Sequence, residues 1–139
     1  MDDLSFLAKN GRLSATKAFF GKLAGVQPFA DFTRDGKNSP LGTFKGDKKV
    51  NEASLKYLLE MATNLEDQIV IITHSMRPER AELFKKQLLE VAHPREVIIT
   101  HVGQSCGPNI GPGLCTYFFM GEAIQDGREK EMKVYESLK

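Results

Sequence analysis

The chain has 139 residues, enough for one domain that buries a core without disulfide or metal staples. Apolar residues at 41% and charged residues at 27% exclude a disordered chain, and the longest apolar runs, such as residues 69–72, are far too short to span a bilayer. The net charge is +1, from 19 basic and 18 acidic residues, which leaves no broad footprint for nucleic acid or an anionic membrane.

The sequence opens with Asp2 and Asp3 rather than a basic and then apolar segment, so no secretory signal is read there. Either aspartate can cap a short helix carrying Leu4, Phe6 and Leu7 that stops near Asn10-Gly11. A second helix is predicted over residues 14–23, ended by Gly25, followed by a strand over 26–32. Asp35-Gly36 and Asn38-Ser39-Pro40 are turn chemistry, with a partner strand returning over 41–45. Asp47 is a candidate cap for a long helix whose stripe is Leu55, Leu58, Leu59, Ala62 and Leu65. Residues 68–73 carry a continuous apolar run, the pattern of a strand covered on both faces. Pro78 suits the first turn of another helix, with Ala81, Phe84, Leu88 and Val91 at helical spacing. His93-Pro94 ends it, and 97–100 is a second buried strand. A glycine-rich loop and a strand over 114–120 follow. Asp126 and Glu129 have the spacing of a capping box opening a last helix with Met132, Tyr135 and Leu138. No repeat or linker stands out, and the alternation of elements predicts a layered α/β domain.

The loop concentrates the chemistry. Between Gly103 and Gly113 lie four glycines and two prolines, which allow close backbone approach while Pro108 and Pro112 fix the path. Such a loop is either a tight structural turn or a rigid ligand-facing element at strand ends. Neither GxGxxG nor GxxxxGK[ST] is present. Gly103-Gln-Ser105-Cys-Gly107 matches GxSxG after a strand, but no histidine follows His101 to serve as base, which leaves a hydrolase using Ser105 or Cys106 the weakest reading. Cys106 and Cys115 form no CxxC pair, and His74, His93 and His101 lack metal-ligand spacing with them. No metal site and no cofactor are expected, and reduced cysteines in the cytoplasm are the simpler reading.

The stretch GQSCGPNIGPG followed by LCTYFFMG resembles the DegV-family signature GPVIGxHxGPG and its apolar strand. Residues 3–14, DLSFLAKNGRLS, are similar to that family's DLxYLxxGGRIS, and residues 18–28, AFFGKLAGVQP, to its AFLGxLLxIKP. Residues 39–49, SPLGTFKGDKK, resemble the stretch GKVRTRKKA. The four segments occur in the family's order and spacing.

The resemblance implies an α/β layered sheet of about five to six strands with flanking helices, matching the DegV C-terminal domain. It spans 1–139, with 122–139 as a helical tail and the family's N-terminal domain lying outside this sequence. It implies a carrier that holds a long-chain fatty acid and presents the carboxylate to a separate fatty acid kinase, with no catalytic residue of its own. The implied ligand-binding positions are Asn109, Ile110, Gly111, Gly113 and Leu114 in the loop, His74 at a strand end, and Lys45. Asn109 stands where the family has a histidine, so a neutral amide replaces a group able to become a cation. Lys45 and Asp47 replace the arginines of RTRKK, losing a bidentate fork at one position and reversing charge at the other. Arg12, at the arginine of GGRIS, is read as a structural anchor, and Ile110, Leu114, Tyr117 and Phe119 as either slot-lining or core. The competing reading is an interaction or regulatory fragment that binds no lipid. A half-site of this kind leaves apolar surface uncovered, so self-association is expected.

Overall fold

The computed structural model describes residues 26–139. The two helices predicted within residues 1–25, and Arg12, lie outside the described residues.

Strands β1 (Val26–Phe32) and β2 (Asn38–Lys45) form an antiparallel hairpin. The second strand starts three residues earlier than its pattern suggested: Pro40 pairs with Ala30, and the register shifts between Phe29 and Ala30 so that Leu41 is the extra residue before Gly42. The turn is therefore confined to residues 33–37, where Gly36 takes a positive φ of 76°. At its tip Asp35 accepts from Lys37 Nζ (2.5 Å) and Thr33 Oγ1 (2.5 Å). These bonds, that from Lys37 foremost, hold the Asp35 carboxyl down from its ordinary 3.8 to about 2. The sign follows: a depressed carboxylate contributes its stability above its ordinary value and loses it as pH falls through about 2. A carboxyl NMR titration is expected to give Asp35 a midpoint near 2, and Lys37→Met should return it towards 3.8. An unmoved midpoint in the variant would show that the lysine is not the cause.

Helix α1 (Asp47–Met61) follows. Gly46, not Asp47, is the cap residue, and Asp47 is the first helical residue. Its carboxylate is used elsewhere, accepting from Gln27 Nε2 (2.5 Å) and lying 3.8 Å from Arg80 Nη1. The buried face is Val50, Ala53, Ser54, Tyr57, Leu58 and Met61, rotated from the leucine stripe, and Leu59 is exposed. The helix packs on the hairpin and on the next helix together, so its inner face is wider than one stripe. A 3-10 turn (Leu65–Asp67) leads into β3 (Ile69–His74).

Helix α2 (Pro78–Val91) crosses from β3 to β4 (Glu96–His101), which runs parallel to β3 from Ile69↔Glu96 to His74↔His101. A single turn, α3 (Gly107–Ile110), interrupts the glycine-rich segment, and β5 (Cys115–Phe118) returns antiparallel on the other side of β3. The expectation of an α/β domain of about five to six strands holds, but the five strands among the described residues divide into a two-stranded and a three-stranded sheet. The reading of β3 as covered on both faces is corrected. Val70 and Ile72 are buried under α2, whereas Ile69, Ile71, Ile98, Phe118 and the neighbouring Phe32 are between 36% and 40% exposed.

Helix α4 (Glu129–Ser137) has Arg128 as its cap residue, with φ at 52° and no capping side chain. The Asp126/Glu129 capping box does not form, as Asp126 faces Arg34 at 3.6 Å. Tyr135 is buried as expected, while Met132 is exposed and Glu131 takes an inner position. Among the described residues two apolar clusters result. One joins Phe29, Leu41, Phe44, Val50, Ala53, Tyr57, Met61 and Tyr135; the other joins Leu58, Val70, Ile72, Ala81, Phe84, Leu88 and Val97. Phe119 packs against both.

Candidate functional site

Strands β3 and β4 end side by side at His74 and His101, and both chains then turn into loops. Residues 75–77 lead from β3 into α2, and residues 102–114 from β4 to β5. The second loop is built from its glycines. Gly107 N–H donates to Gly103 O (2.9 Å) and Gly111 N–H to Gly107 O (2.8 Å), closing two successive turns. Gly111 (φ 72°) and Gly113 (φ 94°) occupy the left-handed region, where a side chain would strain the backbone.

Ser75 fixes this loop to the end of β3. Its Oγ donates to Gly111 O (2.6 Å) and accepts from Leu114 N–H (3.2 Å). Its N–H donates to Leu114 O (3.0 Å), and its carbonyl accepts from Gly113 N–H (2.8 Å). His74 is buried beside it, with Nδ1 accepting from Arg77 N–H (3.3 Å) and the ring edge-on to His101 at 4.6 Å. Thus the loop positions Gly111, Gly113 and Leu114 are locked against the residue following His74.

Asn109 sits on α3, half-buried, and its Nδ2 donates to Ser105 O (3.2 Å). Ile110 and Leu114 are also half-buried. Lys45 lies apart from these residues: it is exposed and borders a groove of about 490 Å³ shared with Lys49, Met132, Tyr135, Glu136 and Lys139. Tyr117 stacks on Phe84 at 3.6 Å in the core, with its phenol pKa pushed up by burial and then by the neighbouring Cys115. Burial likewise raises the Cys115 thiol, so it is held as the protonated form. Cys106 is exposed and free.

Sequence reasoning missed Ser75, His101 and Arg80. A signal for His101 was present: Ile-Ile-Thr-His occurs at 71–74 and again at 98–101, and the two copies pair in register. Ser75 directly follows the first copy. Arg80 carried no comparable mark. Its side chain is only 9% exposed, and its Nη1 donates to Gln27 Oε1 (2.9 Å), tying α2 to β1 and, through Asp47, to α1. Among the described residues, no three His, Cys, Asp or Glu side chains converge to hold a metal ion, and no helix is long and apolar enough to cross a membrane.

The fold and its anchored glycine-rich turn define an α/β module with a preformed loop at the ends of parallel strands. The family described as "Uncharacterised protein, DegV family" matches residues 1–122, and this chain belongs to it. A DegV domain-containing protein of Streptococcus pyogenes is 27% identical over 122 residues, covering 88% of this chain and 42% of that protein. A fatty acid binding DegV family protein of Streptococcus agalactiae superposes with a TM-score of 0.74 at 25% identity, over 84% of this chain and 41% of the other. A DegV family protein of Eubacterium eligens loaded with heptadecanoic acid gives 0.72 at 20% identity, over 84% of this chain and 42% of the other. The chain thus spans about two-fifths of the length of the relatives it matches, and residues 123–139 lie beyond the family match.

Proposed function

We propose that this chain is the acyl-binding portion of a DegV-type carrier, which holds a long-chain fatty acid and presents its carboxylate to a separate kinase while doing no chemistry itself. The observation that carries this reading is the glycine-rich turn locked by Ser75 beside His74, set on the fold of relatives described as fatty-acid-binding. A saturated chain gains about 0.8 kcal/mol for each CH₂ it buries, so an apolar slot supplies affinity. The carboxylate needs only a few donors near solvent. In this reading Asn109, Gly111 and Gly113 with His74 surround the head group, and Ile110 and Leu114 border the start of the chain. Lys45 serves the docking of the kinase. The exposed apolar sheet face of Ile71, Ile98 and Phe118 is the surface assigned to the remaining three-fifths of such a protein, and the carrier works in the cytoplasm.

One observation favours a non-lipid interaction fragment instead. The Asn109 amide, at the position of the family's histidine, already donates to Ser105 O. Native mass spectrometry, followed by denaturing extraction and lipid identification, separates the two. A stoichiometric long-chain fatty acid is expected. Protein recovered lipid-free after incubation with excess oleate would reject lipid binding by this portion.

A further inference from the structure

Residues 75–77 join β3 to α2, and the middle one does not suit a plain connecting turn. Met76 holds φ at 55°, in the left-handed region, where a side chain crowds the backbone and glycine or asparagine is the ordinary occupant. Among the described residues two others that are not glycine share that region: Asn64, a type that tolerates it, and Arg128, which is buried in the fold. Met76 is neither of these cases. It is 79% exposed and belongs to neither apolar cluster. The residue therefore strains the turn while adding nothing to the core.

Its neighbours fix where it stands. Ser75 is held by its four hydrogen bonds to Gly111, Gly113 and Leu114, between 2.6 and 3.2 Å long. On the other side Arg77 N–H donates to Nδ1 of the buried His74 (3.3 Å). Met76 is thus clamped between the anchor of the glycine-rich turn and the end of β3, and its backbone conformation is imposed from both sides. A thioether chain is unbranched, polarisable and free to rotate about three bonds, so it can follow an irregular hydrocarbon surface. Strain kept at an exposed apolar residue beside a built loop marks a contact made with something other than the fold.

We propose that Met76 is a specificity-determining residue of the acyl site, whose side chain lies along the hydrocarbon next to the head group of a bound long-chain fatty acid. The inference rests on the fatty-acid reading above and adds to it a residue that selects for an apolar chain. The test is made on the full chain with Met76→Asn, which suits a left-handed backbone, and Met76→Leu, which keeps an apolar side chain there. Met76→Asn is expected to raise the urea midpoint by about 0.3 M, as strain is relieved. The same variant should bind cis-parinaric acid about tenfold more weakly, as an apolar contact is lost. Met76→Leu should bind it within about threefold of the native chain. A lower urea midpoint in Met76→Asn would show that the side chain supports the fold, and overturns the proposal. Native affinity in Met76→Asn overturns it too, and would leave Met76 to a protein contact. Equal losses in both variants overturn it by showing that apolar character is not what matters. If Met76→Asn does not fold, Met76→Gly decides by the same two readings. Parinaric acid bound by no form of the chain removes the fatty-acid reading and this residue's role with it; binding indifferent to position 76 removes the role alone.

Discussion

Phe84→Ala is expected to cost about 3–5 kcal/mol of folding stability, the largest loss from any single truncation in this domain. Phe84 lies on the inner face of α2, is fully buried and stacks on Tyr117 at 3.6 Å with planes 16° apart. Its neighbours in the cluster include Val70 and Ile72 of β3 and Ala81 and Leu88 of its own helix. These are anchored by a parallel strand pair and a helix, so the cavity left by the ring collapses poorly. The Tyr117 hydroxyl is also buried, and losing its stacking partner lets water reach it at the expense of the core. Small domains have total stabilities of about 5–15 kcal/mol, so the variant should sit near the edge of folding. Urea unfolding reads this directly as a lower midpoint. A loss of less than about 1 kcal/mol would mean that the ring is not the keystone of the second cluster.

Ser75→Ala should free the glycine-rich turn without unfolding the sheet. The substitution removes two side-chain bonds, to Gly111 O and from Leu114 N–H, and leaves both backbone bonds of residue 75 in place. A buried donor or acceptor left unmet costs about 1–3 kcal/mol, which predicts roughly 5- to 150-fold faster exchange at Leu114. Under the proposed function, fatty-acid affinity should fall in parallel, because an unlocked loop must be ordered on binding. Ser75→Thr keeps the hydroxyl and should retain most of both. Normal lipid binding in Ser75→Ala with a demonstrably mobile loop would separate the loop from the ligand site.

The elements legible in the sequence are those marked by strong local chemistry. Pro78 and the Ala81-Phe84-Leu88 spacing gave α2, and the Asp35-Gly36 turn gave the hairpin. Errors arose where a residue had a stronger partner at long range. Asp47 looked like a cap, yet Gln27 and Arg80 claim its carboxylate, and Asp126 turned to Arg34. Periodicity identified α1 but misplaced its face, since a helix gripped by both a hairpin and a second helix needs a wide buried arc, which the leucines alone did not trace. The apolar run of β3 likewise said nothing of how many layers cover it. At the candidate site, the glycines and the family likeness drew attention to the loop. The hydroxyl that anchors it was hidden, because nothing in a lone serine after a strand reveals the carbonyl it will reach 36 residues later.

The bond between the Tyr135 hydroxyl and Thr43 joins residues 92 apart in the chain, whereas the hairpin whose Phe29 and Phe44 pack against the Tyr135 ring closes over a few. Local pairing is fast and distant closure slow, so the hairpin side of this contact is made up of residues that can pair before Tyr135 reaches them. During synthesis at about 5–20 residues per second, Tyr135 emerges roughly 5 to 20 s after Thr43. For that interval Phe29 and Phe44 lack the aromatic ring that packs against them in the finished domain, so the last helix completes a cluster begun by the first strands.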